Sequence, residues 1–167
     1  SPCEYNLYTI MFIELQERIA SKNVLLLGVG NRARGDDGIG SYLVRRLHKK
    51  INIPTIDAGE MPEKSLASIE ASGVDLVLIV DAADMGVSAG EFSLLELDEL
   101  KQMGVSTHTA NLSLLFKIIP QKKRPYGLLI AVQPGSTSGN ILSTEARNAL
   151  DGLEHLFLQL FKKEGKQ

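Results

Sequence analysis

Cysteine is nearly absent: Cys3 stands alone among 167 residues. No internal disulfide can form, and nothing else points to an oxidising compartment. A thiolate metal site or a cysteine nucleophile would rest on that one terminal residue, so both are set aside. Charge of one sign is also missing. The net charge is -2, which gives no electrostatic case for nucleic acid or an anionic membrane. No apolar run approaches the ~20 residues that span a bilayer. The stretch NLYTIMFIEL is apolar, but Glu4 precedes it and no basic segment leads in, so no signal peptide is expected. The expected compartment is the cytoplasm. No internal repeat, linker or low-complexity segment is visible, and no G-x-S-x-G elbow offers a serine nucleophile.

What is there is ordinary globular material. Hydrophobic residues make up 44% and charged residues 23%, and the length suits one domain with one sizeable core. Residues 1–22 are expected to be an N-terminal extension or a helix over about 8–21, with Met11 as a second candidate start. A single domain is expected over 23–163, with the tail KKEGKQ loose at its end.

Strand and helix patterns alternate along that domain. NVLLLGV, residues 23–29, reads as a buried strand. IGSYLVRRLHKK, 39–50, spaces Ile39, Leu43, Val44 and Leu47 as a helix and ends in cations. INIPTIDAG, 51–59, is a second strand, and Pro54 puts it at an edge. Residues 61–73 read as a helix with Pro62 in the first turn and Gly73 as the stop. VDLVLIVDAAD, 74–84, is the most apolar strand and the expected sheet centre. EFSLLELDEL, 91–100, alternates like a strand and then could begin a helix. The spacing predicts a helix over 107–119, a strand over 126–134, and a long helix from Thr144 to about Lys162.

This order predicts a three-layer α/β/α sandwich with a twisted, mostly parallel central sheet. Right-handed crossovers place the first and third strands side by side and the second outside the first. The ligand crevice then lies past the carboxyl ends of strands one and three.

Residues 28–40, GVGNRARGDDGIG, open on that crevice. Gly28, Gly30 and Ala33 match the dinucleotide fingerprint G-x-G-x-x-G/A, and Asp57 follows at about the place of the ribose-binding acid. Asp36 and Asp37 oppose this reading. A carboxylate ~4 Å from a phosphate repels it by about 4 kcal/mol at an effective dielectric near 20, and Arg32 or Arg34 offsets only part. A cation suits the crevice better. One acid of the pair points inward, and the other caps the helix that begins at Gly38 or Ile39. Asp81, at the end of the most buried strand, is costly there unless paired. His108, at the start of a helix, is expected to have its charged form disfavoured by the dipole. Two carboxylates and a neutral imidazole suit zinc, nickel or iron. Asp57 and Glu60 lie nearby, whereas His48 and His155 read as solvated helix faces.

The run LLLGVGNRARGDDGIGSYLVRRL resembles the opening signature of the NiFe-hydrogenase maturation endopeptidases, G-x-G-N-x-x-x-x-D-D/E-G-x-G. LIVDAAD, STHTANLSLL and LLIAVQPGS follow in the family's order, and Gln133 before Pro134 is most similar to the branch serving formate-hydrogenlyase. The resemblance runs from about Val24 to the last helix. It implies a phosphorylase/hydrolase-like α/β/α fold and an endopeptidase that removes the C-terminal extension of a hydrogenase large-subunit precursor after nickel insertion. It also implies that Asp37, Asp81 and His108 engage the nickel carried by the substrate and act in catalysis. Asp57 matches a further family acid near the cleft. The free enzyme is then expected to be metal-free or to hold an adventitious divalent ion, and to be a monomer. Arg32 and Arg34 depart from the aliphatic residues that many members carry there, and the segment before Asn23 is longer than usual. A Rossmann-like nucleotide-binding module and a maturation chaperone that binds the precursor without cutting it are the alternatives.

Overall fold

The computed structural model describes residues 6–164; Cys3 and the last three residues of the tail lie outside that range. The five strands are β1 (Val24–Val29), β2 (Thr55–Gly59), β3 (Leu76–Ala82), β4 (Phe92–Glu96) and β5 (Tyr126–Val132). They form one sheet in the order β2-β1-β3-β5-β4. The first four positions pair in parallel, and β4 closes the edge antiparallel to β5. As expected, β1 and β3 are neighbours, β2 lies outside β1, and β3 is central. The ambiguous segment at 91–100 resolves into β4 followed by a 3₁₀ turn at Leu97–Glu99.

Side chains alternate across each strand, so the central strands feed two cores. Leu26, Leu78, Val80 and Ile130 face one side, against α1 (Leu7–Ile19), α2 (Ile39–Leu47) and α5 (Thr144–Leu160). Leu27, Val77, Ile79 and Leu129 face the other, against α3 (Leu66–Ser72) and α4 (Leu112–Phe116). Each fully buried leucine contributes roughly 1.5–3 kcal/mol, which is why both faces must be covered. The first helix is part of this packing: Met11 and Leu15 are buried in the core beneath α5.

Local signals set the boundaries. Gly73 ends α3 in the left-handed conformation at φ 66°. Ser143 caps α5 by accepting from the Ala146 amide at 3.1 Å. The expected helix over 107–119 is shorter than its pattern. Only Leu112–Phe116 is α-helical, and residues 108–111 form turns ahead of it. Thr107 and Thr109 hydroxyls are committed to Asp81 (below), and this holds the preceding segment out of helical register.

Two glycines bring α2 close to the sheet. A Cβ on Gly40 would stand 1.9 Å from Val80 O and 2.4 Å from Val29 O. Gly30, at φ 140°, turns the chain directly beneath Asp37 O, 1.9 Å from where its own Cβ would be. The acidic loop is therefore pressed onto the carboxyl ends of β1 and β3.

Candidate active site

Asp37 leaves the 3₁₀ turn Gly35–Gly38, which runs directly into α2. Its Oδ2 accepts from the Asn31 amide at 3.2 Å, which leaves Oδ1 directed away from the loop. Asp81, the penultimate residue of β3, is fully buried. Its Oδ2 accepts from both Thr107 Oγ1 and Thr109 Oγ1, the latter at 2.9 Å. Its Oδ1 accepts no hydrogen bond and is the one buried side-chain polar atom without a partner among the described residues. His108, on the turn between those threonines, points its Nδ1 at both carboxylates: 3.6 Å to Asp37 Oδ1 and 3.8 Å to Asp81 Oδ1. Both distances exceed a hydrogen bond and fit a charge contact. The structure thus brings together Asp37, Asp81 and His108 from three separate segments. Among the described residues, no three or more His, Cys, Asp or Glu side chains are placed to hold a metal ion as they stand.

The cleft at this point measures about 320 Å³ and is lined by Asp37, Asp84, Ser106, His108 and Pro134, among others. A larger cleft, about 670 Å³, lies at the amino ends of the strands beside Val74, Asp75 and Arg124, far from this chemistry.

The electrostatics correct one expectation. His108 does not sit in the first turn of a helix, and its pKa is raised, not lowered. The Asp81 carboxylate raises it most; burial opposes this, and Asp37 and Glu60 add to the rise. Burial pushes Asp81 itself up, while His108, Thr107 and Thr109 pull it back part of the way. Asp81 and His108 thus act on each other in opposite senses: the carboxylate raises the imidazole and the imidazole lowers the carboxylate.

Asp36 overturns a second expectation. It does not cap α2, whose first turn has no side-chain cap. It is buried and turned to the far side, where its oxygens accept from the amides of Gly135 (2.7 Å), Ser136 (3.1 Å) and Ser143 (2.7 Å). The Ser143 hydroxyl donates as well, at 2.6 Å. Burial would raise its pKa, and these four donors more than offset that, so it is held low. The pair divides its labour: Asp36 fastens the loop to the segment after β5, and Asp37 faces the cleft.

Asp57 is not brought to the trio. It lies in β2, 3.7 Å from Arg45, and lines a neighbouring cleft of about 520 Å³ with Gly30, Asn31 and Glu60. Glu60 accepts from Asn31 Nδ2 at 3.1 Å. His48 contacts Thr55 Oγ1, and His155 is exposed on α5, both away from the cleft.

The nucleotide reading also fails on hydrogen bonds. A phosphate turn needs unengaged amides. Here Gly30 N donates to Gly59 O at 2.7 Å, Asn31 N to Asp37, and Ala33 N to Asn31 Oδ1 at 2.9 Å. Gly35 N and Asp36 N donate to Gly139 O and Ser136 O.

Sequence reasoning missed Thr107, Thr109 and Ser143. The signal for the first two was present in THT: residues on either side of a turn histidine can share one acceptor. It also left Gln133 without a role. The Gln133 Oε1 accepts from the Met85 amide at 2.7 Å and its Nε2 donates to Asp84 at 3.2 Å, which fixes the far wall of the cleft.

Comparison with known proteins agrees with this architecture. A family model described as HycI, hydrogenase maturation protease, matches residues 38–160, beginning one residue after Asp37. The hydrogenase 3 maturation protease of Escherichia coli K12 is 36% identical over 114 residues, covering 66% of this chain and 72% of that protein. The crystal structure of the NiFe-hydrogenase maturation protease HycI from Thermococcus kodakarensis KOD1 aligns with a TM-score of 0.79 at 30% identity. It covers 90% of this chain and 99% of its own. The solution structure of the endopeptidase HycI from Escherichia coli aligns at 0.67 and 25% identity, covering 80% and 87%. These matches define a peptide hydrolase on an α/β fold. The chain belongs to the HycI family of hydrogenase maturation proteases.

Proposed function

We propose that this protein removes the C-terminal extension of a NiFe-hydrogenase large-subunit precursor, and that it recognises the nickel already bound by that substrate. One observation carries the reading: Asp37 Oδ1 and the unpartnered, buried Asp81 Oδ1 lie 3.6 and 3.8 Å from the same atom, His108 Nδ1, at the edge of one cleft. Ligands ~2.1 Å from a tetrahedral ion stand about 3.4 Å apart, close to the spacings here. Two oxygens and a nitrogen form a half-shell, which the substrate's own nickel site completes. Docking then depends on the metal.

The residues around the cleft position the peptide. In this reading Asp37, partly exposed, takes a proton from an attacking water as the water's oxygen bonds to the scissile carbonyl carbon; the amine then leaves with a proton. The precursor is the partner, the cytoplasm the expected compartment, and the monomer the expected working unit. No helix among the described residues is long and apolar enough to cross a membrane.

The test is incubation with nickel-loaded and nickel-free precursor, followed by intact mass spectrometry. Loss of a C-terminal peptide is expected from the loaded form alone. Asp37→Asn should abolish that loss with an unchanged circular-dichroism melt. Equal cleavage of both precursors would overturn the nickel-recognition reading, and full cleavage by Asp37→Asn the assignment of this acid.

A further inference from the structure

The threonines on either side of His108 are unexplained by a role in chain direction alone. Thr109 is fully buried, and its hydroxyl has Asp81 Oδ2 as its acceptor. Thr107 donates to the same oxygen, and its own Oγ1 accepts from the Thr109 amide at 3.3 Å. Two hydroxyl donors thus converge on one oxygen of a buried carboxylate and none reaches the other. A carboxylate can accept at about four lone-pair sites, and leaving one buried oxygen bare costs about 1–3 kcal/mol. A purely structural threonine pair would relieve that cost by spreading over both oxygens. This pair does the reverse.

We propose that Thr107 and Thr109 are positioning residues that fix Asp81 as a one-oxygen donor, holding Oδ2 so that Oδ1 alone is left toward His108 Nδ1. The inference rests on the cation-binding reading of the site given above. The same two hydroxyls tie the His108 turn to the end of β3, so one bond network sets both the carboxylate's rotation and the imidazole's place. Without it, Asp81 turns about its last side-chain bond and presents either oxygen, or both, to the incoming metal. A two-oxygen grip occupies the coordination position that the imidazole needs.

Thr109→Val keeps the shape and removes the hydroxyl; Thr109→Ser keeps the hydroxyl. Each is measured for thermal unfolding, for affinity to nickel-loaded against nickel-free precursor, and for kcat and KM of processing. Loss of an outer partner of a metal ligand costs about 10–100-fold. Thr109→Val is therefore expected to fall by that factor in preference for the loaded precursor and in kcat/KM. Thr109→Ser should recover to within about threefold, because its hydroxyl restores the bond that the partner effect depends on. If Thr109→Val fails to fold, Thr107→Val and Thr107→Ser, at a less buried position, carry the same comparison. A valine variant that keeps wild-type preference and rate overturns the inference and leaves the protease assignment standing. Valine and serine variants that are equally impaired also overturn it, since shape and not the hydroxyl would then matter. A wild type that does not distinguish the two precursors removes the nickel reading and this inference with it.

Discussion

His108 Nδ1 and Asp37 Oδ1 face each other across 3.6 Å, from a turn before α4 and a turn before α2. Neither residue is fixed by a hydrogen bond to the other. Each is fixed by its own segment, which leaves the space between them available to a third party.

That arrangement predicts opposite pH effects on stability and on processing. The pKa of His108 is raised, chiefly by Asp81. Its charge contacts therefore stabilise the fold fully below the ordinary value of about 6.5 and are lost as pH rises through the higher folded value. The stability difference between wild type and His108→Ala, measured by urea titration, should be largest at about pH 6 and narrow above neutrality. Metal binding needs the neutral ring, so nickel-dependent processing should rise over the same window. A processing midpoint below the ordinary imidazole value of about 6.5 would contradict the raised pKa.

Asp36 should behave as a structural acid. Removing it leaves four part-buried donors without their charged acceptor, and breaking one side of a buried charged network costs about 3–5 kcal/mol. Asp36→Ala is expected to lower unfolding free energy by about 3–5 kcal/mol at pH 7, read from chemical denaturation. Its pKa is lowered from the ordinary 3.8, so this contribution is present above that value and is lost as pH falls through the lower folded one. The gap between wild type and variant should close in strong acid. A constant gap would mean that shape, not charge, holds the loop.

Gly40→Ala should injure the site through the backbone. The new methyl would meet Val80 O at 1.9 Å, and backbone cannot step aside as a side chain can. Overpacking of this kind costs about 1–3 kcal/mol or more, and α2 must shift together with the Asp37 turn. The expected result is a lowered melt and a processing defect together. A wild-type melt with normal processing would show that α2 tolerates the displacement.

The first helix tests where the domain begins. Leu15 is fully buried in the core, so Leu15→Ala is expected to cost about 2–5 kcal/mol. Its effect on precursor affinity should be small at a temperature where the variant stays folded.

Much of this was legible from the chain. Strand order followed from apolar runs and crossover rules, and Pro54 marked the edge just ahead of β2. The three cleft residues followed from strand-end acids and from the family resemblance. What was not legible was decided at long range. The pattern Leu112, Leu115, Phe116, Ile119 extended a helix over residues whose threonine hydroxyls are engaged by Asp81, a competitor that spacing along one segment does not reveal. Asp36 looked like a cap for the helix beside it because its real donors lie beyond β5. The direction of the His108 shift was inverted for the same reason: a helix terminus was inferred locally, while the deciding charge sits on another strand.

The bonds of Asp36 also set an order of events in synthesis. Its donors at Gly135 and Ser143 are added 99 and 107 residues after it. Contacts so distant in sequence close late, and a chain still being made cannot form them until α5 begins to emerge. The loop that carries Asp37 is therefore held by contacts made long after it in the chain. A fragment ending before Ser143 would keep the Gly135 and Ser136 donors and lack the two from Ser143. Closure of the acidic loop is in this way tied to the segment after β5 by a single buried carboxylate.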